Sequence, residues 1–461
     1  MTSLSKRIDT LILNRMLGIP MVLAVMYLMF LFAIQVGGPI QALFDNVSRA
    51  IFMNGLEQLL LQFHTPHWVI AVLAQGVGQG INTTFTFIPV ISALLFALSF
   101  LESSGIVARV AFVMDKTMQL CGLPGKSFVS MVIGFGCNVP AIMSARTLDN
   151  QRERILTIMM SPFMSCGARL AIFVLFASVF FPTNGQNIIF GLYVIGIVVA
   201  LLTGLALKKT ILMEKSVGCS VALPPYRWPS LSMLCRITWN RSMNFLYKAG
   251  LIIIPVCALM GGLGAVKIDT ADIEHSNSII AMVGKAVTPL FAPMGIQEEN
   301  WPATVGLLTG ILAKEVVVGT LNTLYTGNTP INLVEKNTMS ADTKVVMVQK
   351  FGSTAAAFAY LLFVLLYVPC ISVVATMAKE LNKKWALFSV VWTTGIAYTV
   401  AVFFYQSATI TEHPVSSLLW IFGLLGMLGG CFYGIRVFLE VHARKVKRRY
   451  ALPTAILVLE A

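Results

Sequence analysis

The stretch GFGCNVPAIMSARTL, residues 134–148, follows a hydrophobic run and is itself expected to lie within a membrane. It nevertheless contains Gly134 and Gly136, which relax a helix, and Pro140, which removes a backbone donor. Backbone groups freed in this way are tolerated at membrane depth only where they are buried in protein or line a water-filled cavity. The stretch therefore predicts an interrupted helix whose break faces protein or a cavity.

The composition is that of an integral membrane protein. Of 461 residues, 57% are hydrophobic and only 11% are charged, whereas soluble domains carry about 25% charged residues. The apolar runs are long enough to cross a bilayer as helices and too uninterrupted for barrel strands. We predict an all-α polytopic membrane protein with eight full crossings, at residues 21–36, 85–101, 155–181, 188–207, 251–266, 355–377, 386–404 and 418–437.

The distribution of positive charge predicts the orientation. Basic residues precede the first run and follow the last, for example Arg15 and Arg444. Because such residues collect in cytoplasmic segments, we expect both termini in the cytoplasm, which requires an even number of crossings. The same rule explains the net charge of +13, so the lipid bilayer is an expected partner and nucleic acid is not.

Two apolar segments do not fit as crossings, residues 128–145 and residues 303–324. The first has basic residues on both sides, so we predict that it enters from the cytoplasm and returns there. The second has no arginine near it, and we predict that it dips in from outside. Gly134 of the first aligns with Gly310 of the second, and the dipeptide Thr-Leu follows at the same spacing. We therefore predict two re-entrant, broken helices in inverted-topology repeats, with a substrate site near the bilayer midplane.

The repeats divide the chain into five segments. These are an N-terminal span with an external loop, a first repeat, a polar and basic cytoplasmic connector, a second repeat, and two C-terminal spans with a basic cytoplasmic tail. The predicted bounds are residues 1–84, 85–209, 210–248, 249–380 and 381–461.

Sulfur-containing and polar side chains collect around the predicted breaks. Cys137 and Asn138 lie in the first break, and another proline in SPFMSCGARL precedes a methionine and a cysteine. In the second repeat, AKEV places an acid in mid-segment and YVPCIS again joins a proline to a cysteine. Alkali ions take only oxygen ligands, whereas Fe(II), Zn(II) and Cu(I) accept sulfur. We predict a transition-metal pathway lined by Cys137, Asn138, Met164, Cys166, Glu315 and Cys370.

Seven further residues are expected to shape or support this pathway: Gly134, Gly136, Pro140, Pro162, Arg169, Lys314 and Pro369. Charges at membrane depth are costly, which makes a functional role the default for Glu315 and Arg169. Arg169 cannot ligate a cation, and we expect it to pair with an acid such as Glu102 or Asp115, or with carbonyls. Two alternatives remain: Lys314 neutralises Glu315, which would make Glu315 structural, and the cysteines are simple apolar fillers.

The sequence GLPGKS, residues 122–127, ends like a phosphate-binding loop. That motif requires a glycine five residues before the glycine of the Gly-Lys pair, and Leu120 occupies this position. We therefore predict no nucleotide-hydrolysing site in this chain, and no enzyme activity of its own.

Five longer motifs carry a family resemblance. They are GLPGKSFVSMVIGFGCNVPAIMSARTL, MMSPFMSCGARL, ALPPYRWP, NWPATVGLLTGILAKEVVVGTLNTLY and LLYVPCIS. In order and spacing, the chain resembles the membrane region of bacterial ferrous iron transport protein B over essentially its whole length. The resemblance implies two gate modules of a nucleoside-transporter-like type in the bacterial inner membrane, moving Fe(II) into the cytoplasm. It also implies that the metal-pathway cysteines are Cys137, Cys166 and Cys370, and that Glu315 is the acid of the second gate.

The resemblance has one large departure. Members of this family begin with a cytosolic GTPase domain and a helical regulatory domain, and this chain starts where those end. We expect the GTPase, with its GTP and Mg²⁺, either to have been removed or to be a separate polypeptide. Expected partners are that GTPase domain, in cis or in trans, and small cytosolic iron-transport proteins, with homo-oligomerisation left open.

Two other functions stay open at this point. The gate modules would also suit a transporter of a small organic solute such as a nucleoside, for which sulfur would be irrelevant. The basic connector and tail would suit a membrane partner or anchor that transports nothing.

Overall fold

The computed structural model of the chain describes residues 15–120, 123–148, 150–210, 226, 228–265, 279–312, 314, 316–326, 341–411, 414–423 and 426. Within these residues every regular element is a helix, which confirms the all-α prediction. Six helices are long and apolar enough to cross a membrane, and they confirm a polytopic membrane protein. They are Tyr27–Gln62, Val72–Ser104, Gln151–Phe180, Gly185–Lys208, Thr354–Glu380 and Lys383–Ala408.

These six helices overlap six of the eight predicted crossings, and the first two, Tyr27–Gln62 and Val72–Ser104, are much longer than the predicted 21–36 and 85–101. The predicted crossing at 251–266 falls in the second half of the helix Leu231–Ala265, which is not one of these six helices. Residue 266 lies outside the described residues. The crossing at 418–437 is described mainly by the short apolar helix Pro414–Gly423. Most of it lies outside the described residues.

The N-terminal quarter of the chain forms three longer helices and two short ones. In chain order they are α1 (Arg15–Arg49), α2 (Leu56–Gln62), α3 (His67–Ile70), α4 (Gln79–Ser104) and α5 (Ile106–Leu120). π-Helical turns at Ala50–Gly55 and Ala71–Gly78 join α1 to α2 and α3 to α4. α4 packs against α1, and Gly105, in the left-handed conformation at φ 81°, turns the chain from α4 into α5.

Short half-helices make up the centre of residues 85–209, the predicted first repeat. They are α6 (Gly125–Gly136), α7 (Asn138–Ser144), α8 (Gln151–Met160) and α9 (Gly167–Phe180). The long α10 (Gly185–Thr210) follows.

The predicted second repeat, residues 249–380, begins within α11 (Leu231–Ala265). After it come α12 (Ile279–Val287), α13 (Trp301–Leu312), α14 (Val316–Thr326), α15 (Ala341–Phe351), α16 (Thr354–Leu366), α17 (Ile371–Glu380), α18 (Lys383–Ala408) and α19 (Pro414–Gly423).

The core lies where the two predicted repeats meet. α16 is apolar on all sides, which is typical of a helix enclosed by others, and it packs against α9, α10 and α18. Phe176 of α9 stacks on Tyr360 of α16 at 5.0 Å between ring centroids, and Phe351 meets both rings edge-on at 5.5 Å. This shared aromatic core holds the half-helices of the two repeats in one arrangement.

Candidate functional site

The first predicted break lies at Cys137. α6 ends at Gly136, Cys137 has an extended backbone at φ −154° and ψ 129°, and α7 begins at Asn138. Pro140 lies in the first turn of α7, where backbone N–H groups have no partner within the helix. The proline therefore starts the second half-helix, and the interruption falls three residues before it.

The side chain of Asn138 joins this break to the next one. With its amide nitrogen directed at backbone carbonyls, Asn138 donates 3.0 Å hydrogen bonds to the oxygens of Gly134 and Ser161. The residue is almost fully buried. Gly134 also packs against Met164, because a Cβ on this glycine would lie 3.0 Å from the Cβ of Met164.

The next crossing, which the sequence predicts as a continuous span loosened at Pro162, is also broken. α8 ends at Met160, a 3₁₀ turn at Ser161–Phe163 contains Pro162, and α9 begins only after Cys166. The proline supports the turn, and Cys166 has an extended backbone at φ −80° and ψ 166°. The helices α6/α7 and α8/α9, with their two breaks, are called the first broken pair below.

Arg169 lies in the first turn of α9, directly after this break, and is fully buried. Its Nη1 donates to the carbonyl oxygens of Pro162 at 2.7 Å and Met164 at 3.2 Å, and its Nη2 donates to that of Tyr367 at 3.4 Å. A buried guanidinium is stabilised when acceptors surround it, and here carbonyls freed by helix breaks in both repeats supply them. The prediction that Arg169 pairs with carbonyls is confirmed.

The proposed acid partners of Arg169 were wrong. Glu102 accepts a 3.1 Å hydrogen bond from Arg241, and Asp115 accepts a 2.7 Å hydrogen bond from the backbone N–H of Gly125. Asp115 therefore satisfies a free backbone donor at the N-terminus of α6. The Gly-Lys pair at Gly125 thus begins a helix that packs closely against α5, since a Cβ on Gly125 would overlap the carbonyl of Ala111.

The second repeat contains the second broken pair, α13/α14 and α16/α17. α13 ends at Leu312 and α14 begins at Val316, with Lys314 in the turn between them. α16 ends at Leu366, and Cys370, preceded by Pro369, is the residue before α17. Glu315 lies outside the described residues, so its predicted contacts with metal or with Lys314 stay predictions.

Lys314 and Tyr367 connect the two breaks of this pair. Lys314 is 3% exposed, and its Nζ lies 4.4 Å from the centroid of the Tyr367 ring. Gly310 lies against the same tyrosine, because a Cβ there would be 2.3 Å from its hydroxyl oxygen. Sequence reasoning gave Tyr367 no role, although its place in YVPCIS next to a break-forming proline was a signal.

The three predicted pathway cysteines occupy equivalent positions. Cys137, Cys166 and Cys370 each immediately precede a half-helix, and each is half-buried. The guanidinium of Arg169 is within electrostatic range of Cys166 and Cys370. Among the described residues, which exclude Glu315, no group of three or more His, Cys, Asp or Glu side chains is arranged to hold a metal ion. The structure therefore brings the cysteines to the breaks and leaves their role as ligands a prediction.

Glu380, which sequence reasoning missed, joins the repeats through an ion pair. Its carboxylate, 3% exposed, accepts two hydrogen bonds from Arg146, one from Nε at 2.7 Å, and lies 3.4 Å from Nη2 of Arg154. Arg154 also donates to the backbone carbonyl of Glu380, at the C-terminus of α17. The hydrogen bond with Glu380 raises the pKa of the Arg146 guanidinium. Arg146 and Arg154, from the predicted first repeat, thus bind the last turn of α17 in the predicted second repeat. Beside these ion pairs, α7 packs against α17.

The chain is similar to known families and proteins along most of its length. The family Gate, described as "Nucleoside recognition", matches residues 84–180 and 246–384, and the family "Ferrous iron transport protein B C terminus" matches residues 189–241. "Fe(2+) transporter FeoB" of Legionella pneumophila (strain Paris) is 49% identical over 459 residues, covering 91% of this chain and 61% of the relative. The protein of the same name from Salmonella paratyphi A is 46% identical over 462 residues, covering 91% and 60%.

The chain thus spans about 60% of the length of the curated relatives that it matches. No solved structure matches it. The chain belongs to the Gate family, whose matches cover just over half of it, and it is homologous to the membrane region of ferrous iron transport protein B, including the C-terminal family segment.

Proposed function

We propose that the chain is the permease part of an inner-membrane ferrous iron transporter and moves Fe(II) into the cytoplasm. One observation carries the proposal: each of the half-buried cysteines Cys137, Cys166 and Cys370 precedes a half-helix at a break. Fe(II) accepts thiolate sulfur, and irregular backbone at membrane depth is typical of transport sites. Relatives that match 91% of the chain carry the name Fe(2+) transporter.

In this proposal the sulfur atoms and Glu315 receive the ion. Arg169 already donates to the carbonyl oxygens of Pro162, Met164 and Tyr367, so a metal cation would have to compete with the guanidinium for them. Fe(II) enters from outside, sheds water near Glu315, and passes the cysteine sulfurs before its release into the cytoplasm.

We also propose that the two repeats have inverted topology. Gly134 packs against Met164 in the neighbouring break, and Gly310 packs in the same way against Tyr367. The gate-family matches at 84–180 and 246–384 overlap the proposed repeats at 85–209 and 249–380.

The proposed orientation has both termini in the cytoplasm. The ion pair of Glu380 with Arg146 and Arg154 supports it, since it brings together two chain segments that we assign to the cytoplasmic side. A GTPase domain in cis or in trans, with its GTP and Mg²⁺, and small cytosolic iron-transport proteins are the proposed partners.

Initial rates of Fe(II) uptake test the site. The substitutions Cys137→Ser, Cys166→Ser, Cys370→Ser and Glu315→Gln are introduced at the native locus of cells that depend on this protein for ferrous iron. Cys257→Ser is the matched control, because Cys257 is also half-buried and near a proline but lies within α11 and not at a break. We expect about a tenfold or greater loss of rate in the four site variants and none in the control. Wild-type rates in all four would overturn the site assignment.

A nucleoside transporter is the second candidate, because the gate family is described as "Nucleoside recognition". A nucleoside site would need hydrogen bonds and aromatic contacts and no sulfur. Uptake of labelled nucleosides by the same cells separates the two functions. Nucleoside uptake that depends on this protein and is insensitive to the three cysteine substitutions would favour the second candidate.

A further inference from the structure

The second broken pair already contains a cation of its own. Lys314 lies in the turn between α13 and α14, and its ammonium group faces the Tyr367 ring at 4.4 Å from the centroid. Almost none of the residue is exposed. An ammonium group removed from water in this way needs local compensation, and the aromatic face of Tyr367 contributes to it.

Tyr367 is held so that its ring stays under this ammonium group. Its backbone N–H donates to Phe363 at 2.8 Å, and its carbonyl accepts from Arg169. Its ring packs on that of Phe363, and Gly310 leaves the space that the hydroxyl fills. The face that binds Lys314 is therefore fixed from several sides.

The corresponding position of the first repeat has no charge. Asn138 lies four residues after Gly134, as Lys314 lies four residues after Gly310. Both are buried at the break of their helix, but Asn138 donates to backbone carbonyls and no aromatic face is needed. Of these two corresponding positions, only the one in the second broken pair carries a positive charge.

We propose that Lys314 is a tethered cation that closes the second gate, and that a divalent cation in transit must displace its ammonium group from the face of Tyr367. This inference rests on the proposed function, since it concerns the same pathway. Two like charges repel strongly in a site from which water is excluded, so an arriving divalent ion and the seated ammonium disfavour each other. Displacement turns Lys314 towards water, and its return closes the gate after the ion has left.

Amine labelling of the wild-type protein tests the displacement directly. The membrane-embedded protein is treated anaerobically with a membrane-permeant amine reagent, with and without Fe(II), and modified lysines are quantified by mass spectrometry. We expect Fe(II) to increase modification of Lys314 by about tenfold. Lys285, which is exposed in α12, is the internal control and should not change.

Substitutions provide a second measurement. Lys314→Met removes the cation that must be displaced, so the KM for Fe(II) uptake should fall about tenfold. Tyr367→Leu should raise labelling of Lys314 without Fe(II), whereas Tyr367→Phe keeps the ring and should leave this labelling low. Lys285→Met is the matched uptake control.

The outcomes distinguish this inference from the proposed function. Fe(II) uptake by the wild type with no change in Lys314 labelling would overturn the tethered cation and leave the permease assignment in place. Absence of Fe(II) uptake by the wild type would overturn the proposed function itself. If the variants do not fold, labelling of the wild type alone decides.

Discussion

In the first broken pair, Gly134 approaches the neighbouring break at Met164, and the buried residue four positions on is the neutral Asn138. In the second broken pair, Gly310 approaches the neighbouring break at Tyr367, and the buried residue four positions on is the cationic Lys314. A flexible thioether and an amide in one repeat thus correspond to an aromatic ring and an ammonium group in the other. The shared glycines preserve the geometry of the breaks, while the residues around them give each gate its own chemistry.

Arg169 tests whether the two pairs depend on one another. Arg169→Met removes the guanidinium that donates to the backbone carbonyl oxygens of Pro162, Met164 and Tyr367. These buried oxygens then lose their hydrogen bonds from Arg169. We expect the free energy of unfolding to fall by about 3–4 kcal/mol, and both gates to be affected. The unfolding midpoint in detergent measures it, with Arg169→Lys, which keeps the charge, as the milder variant. Equal stability of Arg169→Met and wild type would show that the repeats do not share this support.

Substitution of Glu380 tests the ion pairs that join the C-terminus of α17 to Arg146 and Arg154. Glu380→Gln removes the negative charge that Arg146 and Arg154 share, and we expect the free energy of unfolding to fall by about 2–3 kcal/mol. The loss is not larger because half of the Arg146 side chain is exposed and can be rehydrated. Glu299→Gln is the control, since its pair with Lys350 at 3.7 Å is largely solvated and is worth about 0–1 kcal/mol. A double-mutant cycle with Arg146→Gln should show coupling for Glu380. Additive effects would contradict a direct ion pair between the repeats.

The glycines test the equivalence of the two breaks. In Gly310→Ala the new methyl group would lie 2.3 Å from the Tyr367 hydroxyl and 2.7 Å from Val317, so we expect a loss of about 2 kcal/mol. In Gly134→Ala the closest approach is 3.0 Å, and we expect about 1 kcal/mol. Tyr367→Phe removes the nearest atom and should partly restore Gly310→Ala. Thermal unfolding of the single and double variants measures these effects, and an equal cost at both glycines would remove the proposed asymmetry.

Substitution of Asn138 tests the hydrogen bonds between the two breaks of the first broken pair, for which we expect the smallest effect. Asn138→Ala leaves the carbonyls of Gly134 and Ser161 without their amide donor. The expected loss is about 1 kcal/mol. Gln119→Ala, at an exposed residue that donates to Asp115, is the control and should cost less. A loss no larger than that of the control would show that Asn138 does not join the two breaks.

The sequence identified two of the four breaks, in residues 128–145 and 303–324, because the causes of helix interruption are local. The segments 155–181 and 355–377 were predicted as full crossings, but the structure interrupts their helices at 161–166 and 367–370. Glycines and prolines near positions 136, 162 and 369 disfavour a continuous helix wherever the chain lies. Pro162 nevertheless interrupts a crossing that was predicted to be continuous, because a 3₁₀ turn and the extended Cys166 complete that break. Local composition indicated a weak point, and packing decided how far the helix opened.

The contacts across the repeats could not be predicted in this way. Glu380 and Arg146 are 234 residues apart, and the ring of Tyr367 meets Lys314 only because α13 and α16 come together. Arg169 was expected to meet an acid or carbonyls, and the sequence could not choose between them. Helix breaks supply free carbonyls only once the fold has placed them, so the choice depended on tertiary structure.

The central claim is that Fe(II) contacts the cysteines at the helix breaks, and X-ray absorption at the iron edge tests it most directly. The protein is loaded with Fe(II) anaerobically, and the wild type is compared with Cys166→Ser, Cys370→Ser and the control Cys257→Ser. Our account predicts sulfur in the first coordination shell of the wild type and the control, and its reduction in the two site variants. A wild-type shell of oxygen and nitrogen alone would contradict it.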